Sequence, residues 1–268
     1  MSATGSLGRF FFRTRVWVLS SVLLAVAVWA LLEVRSRRAR RDWDHTVSVA
    51  VVILQLAPLN ETALPALRNR SRTMETRLAS ELQRYRPGAP SPFSLSLIGP
   101  VAVTQPPPEL GGDGFAERAL HAYAQWRYLR DINVVAGVDP SAFDSRIYLT
   151  ARPATAAAPA LVEGASEDGG RVGTVQVDLD AAMADFALIV VTHELLHTLG
   201  ATDKYDAAGK VKAPGGLAEP DAKPLYPQRF VEIMARNRPL SLTEEKAPDT
   251  IADVAVGPAT AREIGWIR

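Results

Sequence analysis

Hydrophobic and polar positions along the chain follow two periods in turn, which predict strands and helices. Four segments have the alternation or the β-branched composition of strands: residues 46–56, 93–97, 146–150 and 175–179. Three segments have apolar residues at helical spacing: residues 60–85, 115–129 and 181–199. The resulting order of strand, helix, strand, helix, two strands and helix predicts an α/β (α+β) fold, in which helices pack on a mixed sheet.

Residues typical of helix ends support two of these helices. Asn60 can cap the first helix, and Pro87 stops it. Gly200 follows the last residue of the third helix and is expected to end it, because glycine readily adopts the left-handed turn found there.

The N-terminal apolar segment is long enough to cross a membrane. The 17 residues 16–32 carry no charge and would span roughly 25 Å as a helix. Trp17 and Trp29 lie near its two ends, where amphipathic rings favour the membrane interface. The pattern predicts one N-terminal transmembrane helix over residues 16–34.

This segment also divides the chain. The prediction places a tail at residues 1–15 before the anchor and a basic linker at residues 35–45 after it, so that residues 46–268 form the main domain. The alternative is a cleavable signal peptide, because the AVA sequence at residues 25–27 resembles a small-x-small cleavage site. The apolar run continues past that point into arginines, which favours the uncleaved anchor.

Composition excludes several kinds of site. The 268-residue chain has 30 basic and 29 acidic residues, a net charge of +1, so no nucleic-acid partner is predicted. It has no cysteine, which excludes disulfides, thiolate metal ligands and a cysteine nucleophile. Only four histidines remain for any metal site: His45, His121, His193 and His197.

Two of these histidines stand four residues apart in the sequence HELLHTLG, within the third predicted helix. Positions i and i+4 share one helix face, so His193 and His197 can both direct a ring nitrogen at one metal ion. Glu194 lies about 100° further around the axis, from where its carboxylate can reach a metal-bound water. The alternative is a chance pair of histidines, although burying them in so apolar a helix is costly without a metal.

Two further residues extend the pattern to HExxHxxGxxD. Gly200 allows the chain to turn back toward the metal, and Asp203 follows with a hard oxygen ligand suited to zinc. A catalytic zinc usually has three protein ligands, and no third histidine is available nearby. Asp203 is therefore predicted as the third ligand, with a surface-turn aspartate as the alternative.

The HExxHxxGxxD motif and the later segment Glu232-Ile233-Met234-Ala235 resemble the metzincin metallopeptidases. The usual metzincin signature has histidine where Asp203 stands, and the aspartate variant resembles the snapalysin-type bacterial members. The resemblance implies a metzincin-like mixed sheet, a Zn²⁺ cofactor, and Met234 in a turn that forms a hydrophobic floor beneath the metal. It covers residues 46–268 by element order, but by motif only residues 193–203 and Met234.

The sequence therefore predicts a membrane-anchored, zinc-dependent endopeptidase that acts on peptides or proteins. Glu194 would be the general base, and His193, His197 and Asp203 would bind the metal. One alternative is a gluzincin-like peptidase with Glu219 or Glu232 as third ligand. Another is a membrane-tethered binding or scaffold protein that contains zinc without turnover.

The side of the membrane on which the domain lies is predicted from opposing signals. Arginines flank the anchor, three before it and five after it: Arg9, Arg13, Arg15, Arg35, Arg37, Arg38, Arg40 and Arg41. This excess favours a cytoplasmic C-terminal flank. Peptidase domains of this kind are more often exported, and an extracytoplasmic domain on a single-pass anchor is the prediction.

Overall fold

A five-stranded mixed sheet lies at the centre of the computed structural model, which describes residues 4–108, 111, 114–154, 162–166 and 169–267. From one edge to the other the strands are β2 (Phe93–Ala102), β1 (Val47–Gln55), β3 (Ser145–Pro153), β5 (Val172–Leu179) and β4 (Val162–Ser166). Adjacent strands are parallel except for β4, which runs antiparallel to β5. The predicted α/β class with a mixed sheet is confirmed.

Helices precede, separate and follow the strands. They are α1 (Thr4–Ala39), α2 (Ala63–Tyr85), α3 (Phe115–Ala136), α4 (Ala184–Thr198) and α5 (Pro258–Glu263). Short 3₁₀ turns and two-residue strands complete the described elements: Pro140–Ala142, Ile251–Asp253, Val231–Glu232, Arg238–Pro239, Glu245–Lys246 and Val254–Ala255.

The sheet is covered by helices on both faces, which explains the apolar composition of β1. Val49, Val51 and Ile53 belong to the larger core cluster, together with residues of α2 and α4. Ala50 and its alternate neighbours point to the other face and pack with Leu129 of α3. Each such aliphatic side chain contributes roughly 1.5–3 kcal/mol when it is fully buried. The expectation that β1 is covered on both faces is therefore correct.

Two features of the fold differ from the prediction. Strand β4 was not expected, because the chain before it is rich in alanine and proline and lacks an alternating pattern. The predicted apolar face of α3 is also not buried as a whole. Phe115 is 89% and Trp126 56% exposed, and only Leu129, Ile132 and Asn133 in the second half of the helix are buried.

The chain divides into two compact units, Met1–Arg40 and Arg41–Arg268. Within α1, residues Arg15–Ala39 are long and apolar enough to cross a membrane, a property that an N-terminal signal sequence shares. The first three residues of the predicted tail lie outside the described ranges. Trp43, predicted to lie in the linker, is instead part of the core and donates a hydrogen bond from Nε1 to the Ile264 carbonyl at 2.8 Å.

Candidate functional site

Helix α4 positions the two histidines and the glutamate of the HELLH sequence. It is strongly apolar and is buried on nearly all sides against the sheet and α2. Its regular geometry brings the rings of His193 and His197 to 4.8 Å between centroids, with 3.1 Å between their Nε2 atoms. Each histidine is only 9% exposed and Glu194 is 5% exposed. The pairing expected from the i, i+4 spacing is thus present.

Backbone carbonyls determine which nitrogen of each ring is available. His193 Nδ1 lies 3.0 Å from the carbonyl oxygen of Ile233, and His197 Nδ1 lies 2.8 Å from that of Ala201. Because a carbonyl can only accept a hydrogen bond, each Nδ1 must carry the proton and donate it. In the neutral rings each Nε2 then carries the lone pair, and the two Nε2 atoms lie 3.1 Å apart, close enough to bind one metal ion.

Asp203 completes a group of three possible ligands. The chain leaves α4 through Gly200, whose φ of 90° lies in the left-handed region favoured by glycine. Asp203 Oδ1 then lies 3.1 Å from His193 Nε2 and 3.2 Å from His197 Nε2. Ligand atoms of these three residues lie within 4.8 Å of one another, so the group could hold a metal ion.

The close approach of these side chains shifts the pKa values of His193 and Asp203. Burial lowers the pKa of His193, but hydrogen bonds to Asp203 and the Ile233 carbonyl outweigh it and raise that pKa above 6.5. Burial raises the pKa of Asp203, yet the adjacent histidines bring it down to about 2. The Asp203 carboxylate and the His193 imidazole therefore stabilise each other's charged forms.

Tyr205 also belongs to the site, although its role was not predicted from the sequence. Its hydroxyl donates a hydrogen bond to the Asp203 carboxylate, and its ring stacks at 6.3 Å from the ring of His193. Burial, together with the charge of Asp203, raises the pKa of Tyr205 to about 12. The sequence signal is a tyrosine two positions after the proposed ligand, where a strand-like spacing returns it to the same side.

Long-range contacts hold the segment that carries Asp203. The backbone N–H of Lys204 donates to the Met234 carbonyl at 2.9 Å. The Lys204 ammonium donates to the Glu263 carboxylate of α5 at 2.7 Å. Met234 is fully buried, and its turn is joined to the Asp203 segment by the Lys204–Met234 hydrogen bond. Its role beneath a metal remains a prediction.

Glu219 and Glu232, the two alternative third ligands, bind other partners in the structure. Glu232 is fully buried and its carboxylate accepts hydrogen bonds from the backbone N–H groups of Met234 and Gly257, at 2.7 and 3.2 Å. Glu219 pairs with Arg229 at 3.4 Å. Among the described residues, neither carboxylate belongs to the group of possible metal ligands, which consists of the two histidines and Asp203.

Glu194 lines a cavity of about 800 Å³ beside the histidines. Its Oε2 is buried and has no hydrogen-bond partner in the described part of the chain. The edge strand β4 passes close by: a Cβ on Gly164 would lie 2.2 Å from Glu194 Oε1, so a larger residue there would displace the Glu194 side chain. A carboxylate oxygen without a protein partner, facing a cavity next to three possible ligands, is suited to proton transfer.

Comparisons with known proteins give little further information. No family model matches the chain, and no curated protein matches it. Its fold is similar to the crystal structure of archaemetzincin from Methanopyrus kandleri, with 15% identity and a TM-score of 0.35, over 74% of this chain and 90% of that chain. A similarity at that level carries no argument about function, so the function is inferred from the site.

Proposed function

We propose that the chain is a membrane-anchored, zinc-dependent endopeptidase of metzincin type. One observation carries the proposal. The Nε2 atoms of His193 and His197 and the Oδ1 of Asp203 lie 3.1–3.2 Å apart, next to the buried and unpartnered Oε2 of Glu194. This combination of three ligands and one free carboxylate is the arrangement that zinc hydrolysis requires.

The ligand distances fit zinc. Zinc–ligand bonds of 2.0–2.1 Å in a tetrahedral site place neighbouring ligand atoms about 3.3 Å apart, close to the observed separations. Three protein ligands leave a fourth position open, which distinguishes catalytic from structural zinc sites. Zinc held there would supply Lewis-acid activation of water and of the substrate carbonyl.

Glu194 would move the proton in this reaction. Its carboxylate accepts the proton of the attacking water and later returns it to the leaving amine, as a general base and then a general acid. The hydrogen bond from Tyr205 to Asp203 would orient this carboxylate as the third ligand. Met234, fully buried in the adjacent turn, would provide the apolar floor of the site.

The cleft also offers a place for an extended peptide. Strand β4 forms an edge of the sheet, and its residues 164–166 line the cavity together with Glu194. Backbone groups on a free strand edge can pair with an extended segment of another chain. A peptide bound in this way would lie beside Glu194, with its backbone carbonyls accessible to the attacking water.

Cleavage of unfolded casein by the full chain in detergent tests the proposal. We expect Glu194→Gln to lower turnover at least about 100-fold while zinc remains bound, because only the proton acceptor changes. Glu244→Gln, the same substitution at an exposed site, is the matched control. Equal cleavage by both variants would refute the role of Glu194. Bound zinc without any cleavage by the parent would favour the non-catalytic scaffold protein.

The anchor is the second part of the proposal. It rests on the length and apolar composition of Arg15–Ala39. We propose in addition that the peptidase domain lies outside the cytoplasm. C-terminal fusions to alkaline phosphatase and to a fluorescent protein that folds only in the cytoplasm would determine the side. Phosphatase activity without fluorescence is the expected result, whereas fluorescence without phosphatase activity would reverse the orientation.

A further inference from the structure

The cavity beside Glu194 has one apolar wall and one basic residue. Phe186, Ile189 and Val190 of α4 form part of the wall. Apart from His193 and Glu194, the only ionisable side chains among its described lining residues are those of Tyr205 and Arg236. Among the lining residues that the structure describes, Arg236 is therefore the one fixed positive charge that a bound molecule would meet.

Arg236 is held in a conformation unusual for its residue type. Its φ is 66°, in the left-handed region that favours glycine, and it follows Met234 by two residues. Short backbone hydrogen bonds on both sides define this turn, from Ala235 N–H to the Glu232 carbonyl at 2.8 Å and from Asn237 N–H to the Ala235 carbonyl at 2.7 Å. Backbone strain of this kind is retained mainly where it positions a functional group.

The guanidinium of Arg236 contacts an aromatic ring and not an acid. It lies 5.2 Å from the centroid of the Tyr205 ring, which faces His193 on the same side of the cavity. In the described part of the chain Arg236 has no ion pair with an aspartate or glutamate. Stacking on one face of the guanidinium leaves its N–H groups free to donate, and two parallel N–H donors match a carboxylate.

We propose that Arg236 selects peptide substrates with an aspartate or glutamate side chain next to the scissile bond. The proposal rests on the peptidase function and adds a substrate class to it. The apolar wall would hold the aliphatic part of that side chain while Arg236 binds its carboxylate. Without this cation, an acidic substrate residue would be repelled by Glu194 in the same cavity.

Matched peptides that differ only in charge test the proposal on the full chain in detergent. Each position flanking the cleaved bond carries Asp, Asn, Glu, Gln or Lys in turn, and each peptide has either a free or an amidated C-terminus. We expect kcat/KM to be about 10-fold higher for the Asp and Glu peptides than for the matching Asn and Gln peptides. The difference should arise mostly through KM, since the contact lies away from the reacting atoms. Added salt should reduce the difference, because Arg236 is exposed.

Two variants and one control assign the preference to Arg236. Arg236→Gln should abolish it and Arg236→Lys should keep part of it, because lysine retains the charge but not the two-donor geometry. Arg229→Gln removes an exposed arginine that does not line the cavity and should leave the preference unchanged. Fluorescence anisotropy of labelled peptides on the Glu194→Gln background measures the same preference without turnover.

The outcomes separate this proposal from the proposed function. If no peptide is cleaved but Arg236→Gln weakens binding of acidic peptides about 10-fold, the selectivity stands and the peptidase function fails. Cleavage with no charge preference, or with a preference that survives Arg236→Gln, overturns the role of Arg236. A preference found only for peptides with a free C-terminus would overturn the side-chain assignment, because the carboxylate recognised would then be terminal.

Discussion

The two halves of the site are built in different ways. His193, Glu194 and His197 lie on one buried helix, α4, and their relative positions follow from helix geometry. Asp203, Tyr205, Met234 and Arg236 lie on irregular segments that depend on distant partners. Lys204 binds Glu263 across 59 residues of sequence, and His193 binds the Ile233 carbonyl across 40.

This difference indicates what each half contributes. The helix fixes the spacing of the two proposed ligands and the proposed base, because each helical residue is held by its own hydrogen bonds and by the core. The irregular half can vary in sequence as long as a few tertiary contacts persist. We expect loss of a proposed ligand on the helix to weaken zinc binding more than loss of the proposed ligand on the loop.

The largest effect on zinc binding is expected from the helix half. His197→Ala should weaken binding roughly 1000-fold, on the order of 4 kcal/mol, because one ligand is lost from a set of three. His121→Ala makes the same change on α3 and should bind zinc like the parent. Titration against a competing chelator measures both. Stoichiometric, tightly bound zinc in His197→Ala would show that the site is misassigned.

A smaller effect is expected for the ligand on the loop. Asp203→Ala should weaken zinc binding about 100-fold, because this carboxylate is 42% exposed and water can take its place. Asp203→His should retain metal, since imidazole is also a zinc ligand. Asp221→Ala, at another exposed loop position, serves as the control. Equal affinity in Asp203→Ala and Asp221→Ala would make Asp203 a surface-turn residue.

Loss of the Lys204–Glu263 contact, which holds the loop, should lower zinc affinity less than loss of Asp203 itself. Lys204→Met removes the ammonium that binds Glu263 and the Thr202 carbonyl, so Asp203 loses part of its support. We expect zinc affinity to fall about 10-fold, as for other residues that orient ligands. Lys210→Met, an exposed lysine later in the same segment, should have no effect. If the two variants bind zinc alike, the Lys204–Glu263 pair does not position Asp203.

The smallest effect on zinc, but a distinct effect on stability, is expected for Glu232. Burial raises its pKa from 4.5 to about 7, against hydrogen bonds from Thr260, Gly257 and Met234. A raised folded-state pKa gives a contribution to the free energy of unfolding that is full below pH 4.5 and is lost as the pH rises to about 7.

Glu232→Gln, which is neutral at every pH, should lack this decline. Urea unfolding of both proteins at pH 5 and pH 8 measures the difference, and contributions from His193 cancel because both proteins contain it. Parallel pH dependence in the two proteins would contradict the raised pKa of Glu232.

Much of the fold and part of the site could be predicted, because they follow from local sequence patterns. The continuous apolar run of β1 predicts a strand buried on both faces, and the i, i+4 spacing of His193 and His197 predicts one shared face. Strand β4 could not be predicted, because its place at the sheet edge depends on pairing with β5 and not on a pattern of its own. The exposed aromatic side chains of α3 were also missed, since helical periodicity does not show which face meets the core.

The sequence by itself determined the class of the fold, the apolar N-terminal segment and the three residues of the site that share one helix. Short-range geometry fixes these, and nothing distant needs to be known. Only the tertiary structure decided that Asp203 meets both histidines, that backbone carbonyls orient their rings and that Glu232 is a buried support. It also placed Tyr205 and Arg236 at the cavity. Some of these contacts are local but turn-dependent, and others, such as that of His193 with Ile233 across 40 residues, join distant segments. Neither kind leaves a periodic signal in the sequence.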